Sequence, residues 1–397
     1  MWLTCQNSEN KGLVGRRLKK DVAAGLPRHQ TPNTLGTWLD KPVTMSFLSN
    51  APGGQRSGSA EEDNPGSAAR VRTPNSGSRS LAALVLCFML SAGFAACRRR
   101  QRPLYAVVPK GQSIVFWQAV HAGAAAEAQA AGVDIDWNGP ATETQFALQV
   151  TIVDDFINRH VDGILLAPND REALVPAVHR AREAGIPVSI VDSGIDTDEY
   201  ISFVATDNYG GGAMGARRLA QQLHGKGDVA LIAVAPGGAS TLAREQGFKD
   251  TLAKEFPGMK LVAWQYGMAD YARSLAVTED ILSAHPALDG IFASNESSTV
   301  GATQALKARG LAGKVKLVGF DSSPAQVADL RAGNLDSLIV QDPFHMAYEG
   351  LKTLIDSRAG HKPPKRIDLP PTLVTRDNLN DQKIQQLINP DIEKYLK

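Results

Sequence analysis

The sequence predicts an α/β protein of two doubly wound parallel-sheet lobes, and three observations carry that prediction. From Leu104 onward, short β-rich runs alternate with amphipathic helical stretches, the pattern of βαβ units whose parallel sheets are covered on both faces. The runs fall into two series of about five, which suits two sheets better than one closed barrel of eight strands. The 397-residue chain is 43% hydrophobic and 21% charged, a length for two or three domains and a composition that excludes collagen-like or wholly disordered chains.

In order, strands are expected at Leu104–Pro109, Val133–Asn138, Gly163–Ala167, Pro187–Asp192 and Ile201–Ala205. The second series is Asp228–Ala235, Lys260–Tyr266, Gly290–Ser294, Lys316–Asp321 and Asp336–Gln341. Helical patterns at Phe116–Ala131, Glu143–Arg159 and Arg171–Ala184 link the first series. Those at Gly211–Leu223, Leu242–Glu255, Arg273–Ala284, Glu296–Arg309 and Pro343–Arg358 serve the second.

The formal charge of +1 is the sum of two unlike segments. Residues 1–102 hold 15 Lys+Arg against 6 Asp+Glu, whereas residues 103–397 hold 27 against 35. Residues 1–80 show no sustained periodicity, and Ser49 to Ser80 is rich in Ser, Gly, Pro, Asn and Arg. Such a stretch buries too little apolar area to offset its ordering entropy, so a disordered leader is expected. The run LAALVLCFMLSAGFAA (Leu81–Ala96), preceded by Arg72 and Arg79, reads as an export signal over 81–97, being shorter than the ~20 residues of a spanning helix. Its distance from Met1 suggests a start that is set too early, with translation beginning at Met45 or near Val71. Phe94-Ala95-Ala96-Cys97 resembles a bacterial lipoprotein box, which makes Cys97 a candidate lipidation site. Arg98, Arg99, Arg100 and Arg102 just beyond it resist translocation, so an uncleaved anchor and a plain cleaved signal stay open. Without Cys5 and Cys87, a chain starting at Cys97 forms no internal disulfide and no thiolate metal cluster.

Ligands of doubly wound sheets bind beyond the carboxyl ends of the strands. The first series ends in Lys110 with Phe116-Trp117 beyond it, in Pro168-Asn169-Asp170, and in Asp192-Ser193. The second offers Arg244, Tyr271, Asn295, Asp321 and Gln341. Carboxylates and amides accept from sugar hydroxyls, Arg donates, and rings stack on apolar C–H faces. Singly, each residue is explained as readily by a cap, a core contact or a surface charge; their repetition at strand ends points to a small polyol.

The motifs FWQAVHAGAAAEAQAAG, VDGILLAPND, IPVSIVDSG, FVATDNYGGGAMGARRL, AREQGFKDTL, AHPALDGIFASNE, VGFDSSPAQVADLRAG and VQDPFHMAYEGLKTL occur in that order. In this, residues 104 to about 376 resemble a ribose-type periplasmic sugar-binding protein, whose type I fold is shared with the ligand domain of lactose-repressor-like regulators. The resemblance implies two lobes joined by a hinge, 103–206 plus 342–369 and 207–341 plus 370–397. It implies that Phe116 and Trp117 sandwich the sugar, that Asp192 takes its ring hydroxyls, and that Arg244 and Tyr271 meet it from the second lobe. Asn295, Asp321 and Gln341 supply the remaining polar contacts, with Gln341 near a hinge strand. Two departures set ribose aside and keep sugar: Ser193 stands where ribose binders have Arg, and Gly111–Val115 replaces their polar loop. The Lys110 loop and WNGPATETQ look more like relatives that bind rhamnose, other sugars or the furanosyl signal autoinducer-2.

Other motifs yield less. Gly210 to Gly215 fits G-x-G-x-x-G, but the following strand ends in Ala235-Pro236 with no acid for a ribose hydroxyl, so close helix packing is the better account, with Asp207 capping the helix. The His residues from His121 to His361 stand singly, so no metal site is expected. There is no G-x-S-x-G elbow. No cofactor and no catalytic residue is expected.

The function expected is an exported, monomeric receptor that delivers a monosaccharide or small polyol to an ABC permease, in the periplasm or cell envelope. Its one tie to the membrane would be a lipid anchor. The alternatives sharing the fold are a sugar-responsive transcriptional regulator and a periplasmic sensor. A regulator calls for a helix-turn-helix before the sensor, where this chain has a Ser/Gly/Arg-rich stretch and an apolar run, so no nucleic-acid partner is expected.

Overall fold

In the computed structural model, which describes residues 102–396, all ten expected strands form. The leader, the signal segment and Cys97 lie outside the described residues. The first series is β1 (Leu104–Val108), β2 (Asp134–Trp137), β3 (Gly163–Leu166), β4 (Val188–Val191) and β5 (Ser202–Thr206). The second is β6 (Gly227–Ala233), β7 (Met259–Tyr266), β8 (Gly290–Ala293), β9 (Lys316–Phe320) and β10 (Ser337–Val340). Runs such as GILL, VSIV, GIFA and SLIV are buried at every residue, as strands between two helix layers must be.

The helices are α1 (Val115–Ala131), α2 (Phe146–Asn158), α3 (Val175–Glu183), α4 (Asn208–Gln222), α5 (Ala239–Glu255), α6 (Tyr271–Ala284), α7 (Glu296–Ala308), α8 (Pro324–Ala332), α9 (Pro343–Arg358) and α10 (Gln382–Ile388). Asp207, Asp270, Asn295, Ser323 and Asp342 cap α4, α6, α7, α8 and α9, each accepting from a backbone N–H of the first turn. These caps explain where the helices begin.

The strand order is β11-β5-β4-β3-β1-β2 in one sheet and β12-β10-β9-β8-β6-β7 in the other, where β11 is Arg366–Leu369 and β12 is Thr372–Thr375. Both sheets thus repeat one doubly wound order, with β1 and β6 in corresponding places. The two sheets are the parallel, doubly wound sheets expected, with one antiparallel edge strand: β12 runs antiparallel to β10. It follows β11 through Pro370-Pro371, so the chain leaves one sheet edge and returns along the other.

Strand residues alternate between helix layers. Tyr105 and Val107 face one core of the first sheet, and Ala106 and Val108 face the other. Ala230 and Ile232, against Leu231 and Ala233, do the same in the second sheet. The chain passes between sheets at three places: after β5, after β10 and after β11. Helix α9 follows the second of these and packs on α1, β4 and β5, returning the chain to the first sheet.

The glycine run of α4 serves packing. A Cβ at Gly212 would stand 1.8 Å from the Arg244 carbonyl oxygen, and one at Gly247 would stand 2.1 Å from that of Tyr209. Helices α4 and α5 therefore touch backbone to backbone at two points, and only glycine admits that approach.

Candidate functional site

The carboxyl ends of the two sheets supply a common set of side chains. Strand β1 is followed by Lys110 and the α1 start, which carries Ile114, Phe116 and Trp117; β4 is followed by Asp192. From the second sheet come Ser240, Thr241 and Arg244 on α5, Asn295 after β8, Asp321 after β9 and Gln341 after β10. With Glu143, these residues line one cavity of about 20 Å³, room for roughly one water.

Seven of the eight residues expected from sequence line this cavity: Phe116, Trp117, Asp192, Arg244, Asn295, Asp321 and Gln341. Tyr271 is outside it, and its hydroxyl donates to Glu296 Oε1 at 2.8 Å. Phe116 and Trp117 meet edge to face, with centroids 4.9 Å apart at 88°. Trp117 is fixed by its indole N–H, which donates to Glu143 Oε1 at 2.9 Å.

Asp192 is paired with Lys110, whose Nζ stands 2.7 Å from Oδ2 with both side chains almost wholly buried. The cation beside this aspartate therefore comes from the end of β1, where Ser193 supplies none. Lys110 also donates to Ser240 Oγ at 2.7 Å, and Ser193 Oγ accepts from the Ser240 N–H at 3.1 Å. Both contacts join residues of the first sheet to the start of α5.

Arg244 is 2% exposed. Its Nη2 donates to Asn208 Oδ1 at 2.7 Å, its Nη1 donates to the Ser294 carbonyl, and its guanidinium lies 3.5 Å above the centre of the Phe320 ring. Burial lowers its pKa, against the fields of Asp321 and Asp192, yet a guanidinium remains charged throughout the working range. Asp321 accepts from Gln341 Nε2 at 2.7 Å and from the Glu296 N–H at 2.9 Å. Burial raises the carboxyl pKa of both Asp321 and Glu143, and nearby Arg244 and Lys110 respectively offset part of that rise. Asn295 Oδ1 is occupied in capping α7 by the Ser298 N–H at 2.9 Å. Gln341 Oε1 is buried without a protein partner.

Sequence reasoning missed Glu143, Ser240, Thr241, Asn208 and Glu296, and it noted Lys110 without selecting it. Lys110 was findable as a strand-end residue. Ser240 and Thr241 fall in the first turn of α5, which begins at Ala239 rather than the expected Leu242. Glu143 lies ahead of α2 because that helix starts at Phe146 rather than at Glu143.

A second cavity of about 450 Å³ lies beside the first and shares Phe116, Asp321 and Gln341 with it. Its outer wall is the carboxyl-terminal stretch from Leu387 to Glu393. Among the described residues, no group of three or more His, Cys, Asp or Glu is placed to hold a metal ion.

A family model described as a periplasmic binding protein domain matches residues 105–362. The D-allose-binding periplasmic protein of Escherichia coli is 33% identical over 266 residues, covering 65% of this chain and 85% of that protein. The D-ribose/D-allose-binding protein of Pseudomonas aeruginosa is 32% identical over 287 residues, 69% of this chain and 89% of that protein. Among solved structures, a carbohydrate transporter solute binding protein from Agrobacterium radiobacter, in complex with D-arabinose, aligns with a TM-score of 0.71. It is 33% identical, and the alignment covers 73% of this chain and all of that one.

Proposed function

Because the chain belongs to the periplasmic binding protein domain family, we propose that it is a sugar receptor, exported to the periplasm, that delivers its cargo to an ABC-type permease. Its two lobes, 103–206 plus 342–369 and 207–341 plus 370–397, close by hinge rotation on a monosaccharide or related small polyol. The observation that carries this reading is the meeting of Phe116 and Trp117 with Asp192, Arg244 and Asp321 at facing strand ends. Ring faces cover the sugar's C–H surface, while carboxylates and the guanidinium exchange hydrogen bonds with its hydroxyls.

In the closed cleft Lys110 holds Asp192 and Gln341 holds Asp321. A sugar takes over those partners, so its hydroxyls must match a fixed set of donors and acceptors, which gives selectivity. The protein binds its cargo as a monomer without transforming it, and Cys97 is its candidate site for a lipid anchor. Relatives named for allose and ribose, and a solved structure in complex with D-arabinose, support a pentose or hexose ligand.

Isothermal titration of the protein with D-allose, D-ribose, D-arabinose and autoinducer-2 tests the reading. Saturable binding of at least one sugar is expected. Heat of dilution alone with every compound overturns it.

A further inference from the structure

Helix α1 carries the aromatic pair, yet its own sequence leaves its N-terminus uncapped. The N-cap residue Ile114 offers no side-chain acceptor, and no acidic residue lies in the first turn. The exposed N–H groups of a helix start are costly to leave unpaired and favour a negative charge. Here that charge arrives from the other sheet. Glu296, first residue of α7, accepts from the Val115 N–H at 3.2 Å through Oε1 and from the Phe116 N–H at 3.0 Å through Oε2.

Glu296 is 1% exposed, and it is held from behind. Its backbone N–H donates to Asp321, and its Oε1 accepts from the Tyr271 hydroxyl. Tyr271 in turn packs against the core cluster that contains Phe116 and Trp117. The carboxylate is therefore fixed on the second sheet's side and bonded to the main chain at Val115 and Phe116 on the first sheet's side. No other acceptor among the described residues bonds to these two N–H groups.

We propose that Glu296 is a positioning residue for sugar binding: on closure it caps α1 across the cleft and so seats Phe116 and Trp117 on the sugar. This rests on the sugar-receptor reading and adds to it that closing the lobes and completing the aromatic clamp are one event. In the open state water serves the α1 N–H groups and the Glu296 carboxylate separately. The capping bonds then contribute to holding the sugar and not to its first encounter.

Stopped-flow measurement of tryptophan fluorescence tests this, using whichever of D-allose, D-ribose and D-arabinose the wild-type protein binds. Glu296→Ala is expected to dissociate about tenfold faster or more, with the association rate nearly unchanged, because hydrogen bonds to a charged group are lost only from the closed state. Glu296→Gln, which keeps the shape and one acceptor, and Tyr271→Phe, which loosens the carboxylate, should fall between that variant and the wild type. All three should melt close to the wild type without sugar. An unchanged dissociation rate in Glu296→Ala overturns the proposal, as does a loss explained by equal destabilisation of the sugar-free protein. If the wild type binds none of these sugars and no autoinducer-2, the receptor reading itself fails, and the inference with it.

Discussion

Asp192 and Asp321 occupy matching positions in the two sheets. Each directly follows its strand, β4 or β9, each has a left-handed backbone (φ 62° and 66°), and each donates its N–H to the neighbouring strand, at Val204 and Ile339. Aspartate tolerates this conformation better than most residues, and strain of this kind gathers at binding sites. Replacing Asp192 by Ala keeps the Cβ in this conformation without the polar side chain that eases it, whereas Gly removes the Cβ. Asp192→Ala should therefore be less stable than Asp192→Gly by roughly 1 kcal/mol, measured by urea unfolding. Equal stabilities would show that the backbone there is relaxed.

The pair Lys110–Asp192 gives a second expectation. Removing one partner of a buried ion pair strands the other charge, at a cost of about 3–5 kcal/mol. Lys110→Met should lose stability on that scale, and Lys110→Met with Asp192→Asn should recover much of it because no lone charge remains. A single variant as stable as the wild type would mean that water reaches Asp192 freely.

The strands were legible in the sequence because each is a short apolar run between helix-length segments, and the repeated strand-end residues drew attention to the cleft. β11, β12, α8 and α10 were not. RIDL of β11 alternates exposed and half-buried positions, so no continuous apolar run marks it, and α10 is only seven residues long. The capping role of Glu296 was equally hidden, since its partners Val115 and Phe116 lie 180 or so positions away and only folding brings them together.

Gly212 tests the meeting of α4 and α5. Gly212→Ala forces two backbones apart, and overpacking of that kind costs roughly 1–3 kcal/mol. Because α5 carries Arg244, sugar affinity should fall along with the melting temperature. Retained affinity at a lowered midpoint would show that the cleft is insulated from the helix contact.

Acidity should stabilise the protein before it harms it. Burial raises the carboxyl pKa of Glu143 and Asp321, so each binds its proton more readily folded than unfolded. The stability they contribute is complete below the ordinary carboxylate range and is lost as pH rises through the raised values. His121, whose pKa burial lowers, acts in the opposite sense below its ordinary value. Urea unfolding of Glu143→Gln beside the wild type isolates one carboxyl. On acidification from neutral toward the ordinary Glu range, the variant should gain less stability than the wild type. An equal gain would place Glu143 in solvent.

Thermal unfolding with and without sugar reaches the central claim most directly. A sugar at a hundred times its Kd should add about 2.7 kcal/mol to the stability of the wild type and raise its midpoint. Asp192→Ala and Arg244→Ala should each lose most of that rise, because truncation leaves buried partners unpaired. A wild type indifferent to every monosaccharide, or two variants that respond as it does, would contradict a sugar site between these two sheets.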